Sequence, residues 1–415
     1  MNELIGSPAK RSLVAVIAAD GLSRFGSAMT AVAIPWFVLV TSNSVARTSI
    51  TVFAGAAGVV LALLFGGAAV DRLSFARASV LADLLAGSVI SLIPLLYLTI
   101  GLPFWLLLVL VFSGALLDTP AMVARYSALP DIAQAAGVRF ERVNAVFESV
   151  LTIAGLVGPA LAGMIIAVVG AVDVLWIDAG TFVLSALLMR MVARGSGLPR
   201  PREAQSGNYF EQIHAALRFV RRETVLFPLI LYFAVMSLAI APIETLFVPV
   251  IARDVYHSAY ALGLMSSSLA VGALGGNALF GAIGHRLPRR TLFGIGFLVV
   301  PANFAVLAFE PRFVVAVVSL GLVGLGLSLT NLLEYTIYFE RIPESMRASA
   351  LGIIGAIGSG PVPVGRLLAG FALAVYGLGV TLGGFALLFA PVPIFMLVAP
   401  VFRNLRSPRI DLPTL

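Results

Sequence analysis

Long apolar runs alternate with short polar breaks along the whole chain. Twelve runs are close to, or longer than, the roughly 20 residues that cross a bilayer core as a helix. They cover residues 12–40, 48–70, 77–99, 103–124, 143–169, 173–192, 225–252, 260–284, 290–309, 312–339, 346–375 and 378–402. Proline, glycine or charge marks the breaks, as at Gly101-Leu-Pro103, Gly170-Ala-Val-Asp173 and Glu310-Pro-Arg312. The pattern predicts an all-α integral membrane protein with twelve transmembrane helices. The first run, Leu13 to Val40, follows Lys10-Arg11, is too long for a signal-peptide core and lacks a small-residue cleavage site, so it is expected to stay as the first helix. Gly358-Ser-Gly-Pro361-Val-Pro363-Val-Gly365 predicts a break within the eleventh.

The polar breaks are not symmetric. Counted on alternate sides of the runs, 22 of the 27 Lys and Arg fall on the side shared by both termini, Arg125 among them. Arg47, Arg253 and Arg312 fall on the other side, and Arg24 and Arg366 fall inside runs. Lysine and arginine collect on the cytoplasmic side, so both termini are expected in the cytoplasm. The one long polar stretch, 193–224, divides the chain into 1–192 and 225–415, and Asn208 to Glu223 within it reads as an amphipathic linker helix lying on the headgroups. Each half carries a charged hinge after its second run. Gly67-Ala-Ala-Val-Asp71-Arg72-Leu-Ser-Phe-Ala-Arg77 returns 214 residues later as Gly281-Ala-Ile-Gly-His285-Arg286-Leu-Pro-Arg289-Arg290.

Composition narrows the functional classes. With 60% hydrophobic and 11% charged residues and a mean hydropathy of +1.03, too little polar surface remains for a soluble fold. The high pI, about 10.1, then reports topology and not nucleic-acid binding, because the basic residues sit in short loops. No cysteine is present, and His214, His257 and His285 lack ligand spacing, so no metal or other cofactor is expected. A phosphate-binding loop needs a lysine, and the only one is Lys10, which excludes an ATP-driven pump on this chain. Neither a zinc-protease helix nor a serine-hydrolase elbow occurs. Arginine outnumbers lysine 26 to one, which points to a GC-rich genome and a bacterial inner membrane.

The first hinge resembles the loop between helices 2 and 3 of the major facilitator superfamily, with Ser74 and Phe75 departing from its usual Gly and Arg. Between residues 113 and 186 the resemblance narrows: Pro120-Ala121, Leu129-Pro130-Asp131, Arg142-Val-Asn144-Ala145, Gly155-Leu-Val-Gly158-Pro159-Ala-Leu-Ala-Gly163 and Ile177-Asp178-Ala179. With Leu22-Ser-Arg-Phe-Gly26 in the first run, this order is similar to the macrolide-efflux and enterobactin-exporter branch of the drug:proton antiporters. The resemblance implies two six-helix bundles that move an amphipathic drug or siderophore-like molecule outward against protons. It also implies that Gly67, Asp71, Arg72 and Arg77, with Asp118, form a cytoplasmic latch. Proton-coupled import of a small solute by the same fold stays open as the alternative. A monomer is expected, with the lipid bilayer, protons and a small-molecule substrate as its partners. Independently of the resemblance, the small residues Gly155, Gly158 and Gly163 allow close helix approach and Pro159 removes a backbone donor, so the fifth helix can pack and repack.

Ionisable residues within spans cost at least about 2.5 kcal/mol each at the bilayer centre, so each needs a partner or a job. They are Asp20, Arg24, Asp83, Asp118, Glu148, Asp178, Glu244, Glu334 and Arg366. Asp20 and Arg24, four apart on one helix face, are either a self-neutralising pair or a functional pair facing a cavity. Glu334, beside Asn331 and Tyr335, and Glu244, between Pro242 and Pro249, are expected deep in the membrane without a local cation. A carboxylate so placed is too costly to keep charged through a transport cycle. Glu334 is therefore the first proton-coupling candidate, followed by Asp20 and Glu244, with Glu148 as relay or entrance. Arg24, Asn331, Tyr335 and Arg366 are the candidates for the substrate cavity. Asp83 and Asp178 are expected near the interface.

Overall fold

A computed structural model describes residues 8–70, 75–194, 217–283, 288–343, 347–400 and 402. The described residues contain helices and connecting turns and no strand. That outcome follows from the solvent: in hydrocarbon the backbone polar groups must be satisfied within the segment, which a helix does by itself. The twelve expected spans are present: α1 (Pro8–Ser42), α2 (Val45–Val70), α3 (Phe75–Thr99), α4 (Phe104–Ala135), α5 (Phe140–Val168), α6 (Ala171–Arg194), α7 (Leu226–Asp254), α8 (Ala259–Ile283), α9 (Arg289–Ala308), α10 (Phe313–Arg341), α11 (Arg347–Ser359, resumed as Pro361–Tyr376) and α12 (Leu378–Phe389, resumed as Pro391–Val398). All are long and apolar enough to cross a membrane. The break expected in α11 falls at Gly360. α7 is also irregular: after Pro242 it passes through a π-helical turn, Ile243–Phe247, before resuming.

One boundary differs in a way that matters. The fourth run was expected to end at 124, where charge and prolines begin, but α4 continues for another eleven residues, through Pro130, to Ala135. Arg125 is therefore no loop residue. It is 1% exposed and sits inside the protein, so its place in the loop-charge count is corrected here. Both hinge centres, Asp71-Arg72 and His285-Arg286, lie outside the described residues, as does nearly all of the expected linker helix.

Contacts divide the chain into two compact units. The first holds Met1–Ser206 together with Pro242–Ser267 and Arg366–Val375; the second holds Gly207–Ala241, Ser268–Gly365 and Tyr376–Leu415. In the first unit α1 packs on α2, α4, α5 and α6, while α3 packs on α4 and α6. Polar bonds join its ends remote from Pro8: Arg253 donates to the Leu39 carbonyl (3.1 Å) and to Asn43 Oδ1 (3.2 Å), and Ser49 donates to the Arg366 carbonyl (2.9 Å). The second unit is built around stacked rings, Tyr232, Phe233, Phe293, Phe297 and Phe402, with centroids 5.3–6.1 Å apart in mainly edge-on pairs. Such rings add geometric preference to apolar burial. Two ion pairs, Arg289–Glu340 (2.6 Å) and Arg341–Glu223 (2.9 Å), bind its helix ends.

Candidate functional site

The first unit brings the sequence-picked charges together, with partners that pattern alone did not reveal. Asp20 accepts from Arg24 Nε at 2.5 Å across one turn of α1. Its other oxygen, Oδ1, is buried without a hydrogen-bond partner, although Arg125 Nη1 stands 3.5 Å away. Arg125 is committed elsewhere: Nη2 grips both oxygens of Asp83 on α3, and Nε donates to Ser79 Oγ at 2.8 Å. Ser185 on α6 donates to Asp83 at 2.8 Å. Asp20, Asp83, Arg24 and Arg125 thus form a charge-balanced network joining α1, α3, α4 and α6. Asp83, expected near the interface, is completely buried within it. Arg24 also lies 5.6 Å from the Phe147 ring centroid, within cation–π range.

Beside this network, further along α1, lies a cavity of about 250 Å³. Its walls are mostly apolar, with Ile34, Pro35, Val52, Val59, Ile90, Val111 and Phe182 facing in. The polar groups are Ser27 and Thr30 on α1, Thr51 on α2, Asp118 on α4, Asp178 on α6, Thr245 on α7 and Arg366 on α11. Asp178, also expected near the interface, is 1% exposed; it accepts from Thr30 at 2.5 Å and from Thr181 at 3.2 Å. Gly26 makes this possible. A β-carbon there would come within 2.1 Å of Thr181 Oγ1 and 2.2 Å of Asp178 Oδ1, so only glycine lets α6 bring these groups against α1. Asp118 accepts from Ser27 at 3.3 Å and lies near the middle of α4. It was expected at the cytoplasmic rim beside Asp71, Arg72 and Arg77; the structure puts it on the cavity wall. Asp71 and Arg72 are outside the described residues, Arg77 is exposed, and Gly67 lies in the last turn of α2.

The remaining candidates disperse. Arg366 is on the cavity wall, donating to the Val52 carbonyl at 3.4 Å. Glu244 falls on the π-turn of α7, next to Thr245, and its charge reaches Arg366. Glu148 is exposed on α5. Glu334, Asn331 and Tyr335 belong to the second unit. Glu334 stands seven residues before the end of α10, about 10 Å by helical rise, and accepts from Tyr338 at 2.5 Å. Its local partner is thus a phenol and not a cation. In the Gly-Pro segment of α5, Gly158 meets Ala28 of α1, and Gly163 meets Gly263 of α8, where a β-carbon would come within 2.5 Å of the Gly263 Cα. Gly155 has open space beside it. Among the described residues no group of three or more acids or histidines could hold a metal ion.

Residues 17–365 match the family model of the Major Facilitator Superfamily. The chain belongs to that superfamily. It is similar to the multidrug efflux pump Tap of Mycolicibacterium fortuitum, 29% identical over 386 residues that cover 92% of this chain and 93% of the relative. It is equally similar to the multidrug efflux pump Tap of Mycobacterium tuberculosis strain ATCC 25618 / H37Rv, 29% identical over 406 residues and 96% of each chain. Macrolide efflux protein A of Streptococcus pyogenes is 23% identical over 73% of this chain and 74% of its own. Among solved structures, the nucleoside transporter NupG aligns at a TM-score of 0.73, with 14% identity over 94% of this chain and 99% of its own. A D-xylose–proton symporter aligns at 0.68, with 13% identity over 95% and 99%. Those two carry the fold alone. This chain is a multi-pass membrane transporter of the superfamily, with twelve helices fit to span the bilayer.

Proposed function

We propose that this transporter exports amphipathic, drug-like molecules across a bacterial cytoplasmic membrane, driven by protons and working by alternating access. Near-full-length relatives named multidrug efflux pumps support the direction of transport. The single observation that carries the mechanism is the arrangement within the first unit: a charge-balanced network beside a cavity whose two carboxylates make no ion pair among the described residues. The excess of Lys and Arg on one side supports two cytoplasmic termini. The working halves are 1–192 and 225–415, joined by 193–224, and a monomer suffices for transport.

Asp20 is the coupling acid in this reading, ahead of Glu334, Glu244 and Glu148. Its unpartnered Oδ1 faces an arginine already held by Asp83. A proton on either carboxylate removes its claim on Arg125 and lets the guanidinium settle on the other, which gives the bundle two discrete pairings to alternate between. Cells producing this chain should accumulate less ethidium than cells without it, and a protonophore should restore the higher level. Retention of the lower level under a protonophore would refute proton-driven export.

A further inference from the structure

The two acidic systems of the first unit are treated differently by the chain. Asp20 and Asp83 are each within 3.5 Å of an arginine nitrogen. Asp118 and Asp178 are not; their hydrogen-bond partners are the hydroxyls of Ser27, Thr30 and Thr181. Hydroxyl donors offset only part of the cost of a charged carboxylate within a bilayer, and a cation bound in the cavity would offset the rest. Arg366, the one cation among the described residues of the cavity wall, is drawn to the Val52 carbonyl and to the charge of Glu244. With two aspartates and one arginine, the described residues of the wall carry a formal charge of −1.

We propose that this cavity binds the protonated amine end of an amphipathic molecule, with Asp178 as the fixed counter-ion and Asp118 as the second, looser contact. The site has the build of a small-molecule pocket, apolar walls with a few convergent polar groups. Among the described residues no third acid or histidine joins these two aspartates, so the pair is not built as a metal site. At about 250 Å³ the cavity is smaller than the roughly 300–1,000 Å³ of pockets that enclose a drug-sized ligand. It therefore accepts the charged end and one ring, and the remainder of a larger molecule extends beyond it. The formal charge selects monocations over neutral molecules and dications. This proposal rests on the export reading and names the substrate class of that site.

Binding to the purified full chain in lipid nanodiscs, without any gradient, tests it. The probes are a radiolabelled naphthylalkylamine, its uncharged N-acetyl derivative and a naphthyl diamine. The parent should bind the amine at least tenfold more tightly than the N-acetyl compound. Asp178→Asn and Asp118→Asn should each weaken the amine and leave the N-acetyl compound unchanged. Arg366→Gln should shift preference toward the diamine. Equal binding of amine and N-acetyl compound by the parent overturns the proposal without recourse to any variant. So does an equal loss of both probes in Asp178→Asn. Selective amine binding without pH-driven transport in vesicles would sink export and keep the site, whereas transport without charge discrimination would do the reverse.

Discussion

Replacing Arg125 by methionine should destabilise the protein by about 3–5 kcal/mol, the cost of stripping one partner from a buried ion pair. The structure sets the magnitude. Arg125 and Asp20 are each 1% exposed and Asp83 is fully buried, so no water can take over the lost contacts. Methionine fills much the same space but leaves Asp83 with Ser185 alone and takes from Asp20 the cation facing its unpartnered oxygen. Adding Asp83→Asn removes the uncompensated charge, and the double variant should recover about 2 kcal/mol relative to the sum of the single changes. With no cysteine and three tryptophans, the chain suits unfolding followed by intrinsic fluorescence in a detergent titration. If Arg125→Met lies within about 0.5 kcal/mol of the parent, inside the range of an uninvolved surface change, the network is not a structural joint. Strict additivity in the double variant would break the link between Arg125 and Asp83.

Gly26→Ala places a methyl within 2.2 Å of both Asp178 and Thr181, and overpacking of this kind costs about 1–3 kcal/mol. The same titration checks it, and a variant as stable as the parent would mean that α6 has room to move away. Glu223 gives the acid-limb prediction. Burial alone would raise its pKa, but donors from the Val225 and Leu226 N–H groups and from Arg341 outweigh this and hold the carboxyl below the usual glutamate value. Its contribution is complete above the ordinary value of 4.5 and fades as the pH falls through the lowered one. Glu223→Gln should therefore be less stable than the parent by a constant amount near pH 7, and the gap should close below about pH 4.5. A gap independent of pH would show that the charge of Glu223 plays no part.

The spans were legible because a bilayer needs long apolar runs, and eleven of the twelve stop within a few residues of where hydropathy stops. The exception, α4, explains the largest misreading. A charge at Arg125 followed by Pro130 looks like a loop when hydropathy is averaged, yet a buried arginine can be carried deep into a helix by a partner on another helix. The burial of Asp83 and Asp178 against neighbouring helices does not show in their distance from run ends. Helical spacing held better information. Leu175, Asp178, Ala179, Phe182, Ser185, Ala186 and Met189 form one buried stripe along α6, and Asp83, Ala86, Gly87 and Ile90 form another on α3. An acid inside a small-residue stripe faces a neighbouring helix and not lipid. Which helix it faces, and that Gly26 leaves the gap, depends on packing between segments remote in sequence.

Proton uptake per ethidium released from reconstituted vesicles under an imposed pH gradient tests most directly whether Asp20 carries the coupling. The parent should take up protons as dye leaves. Asp20→Asn should lose the pH-driven component while still exchanging dye down its own gradient. If Asp20→Asn keeps pH-driven release at the parental rate with the same proton uptake, coupling does not pass through this network.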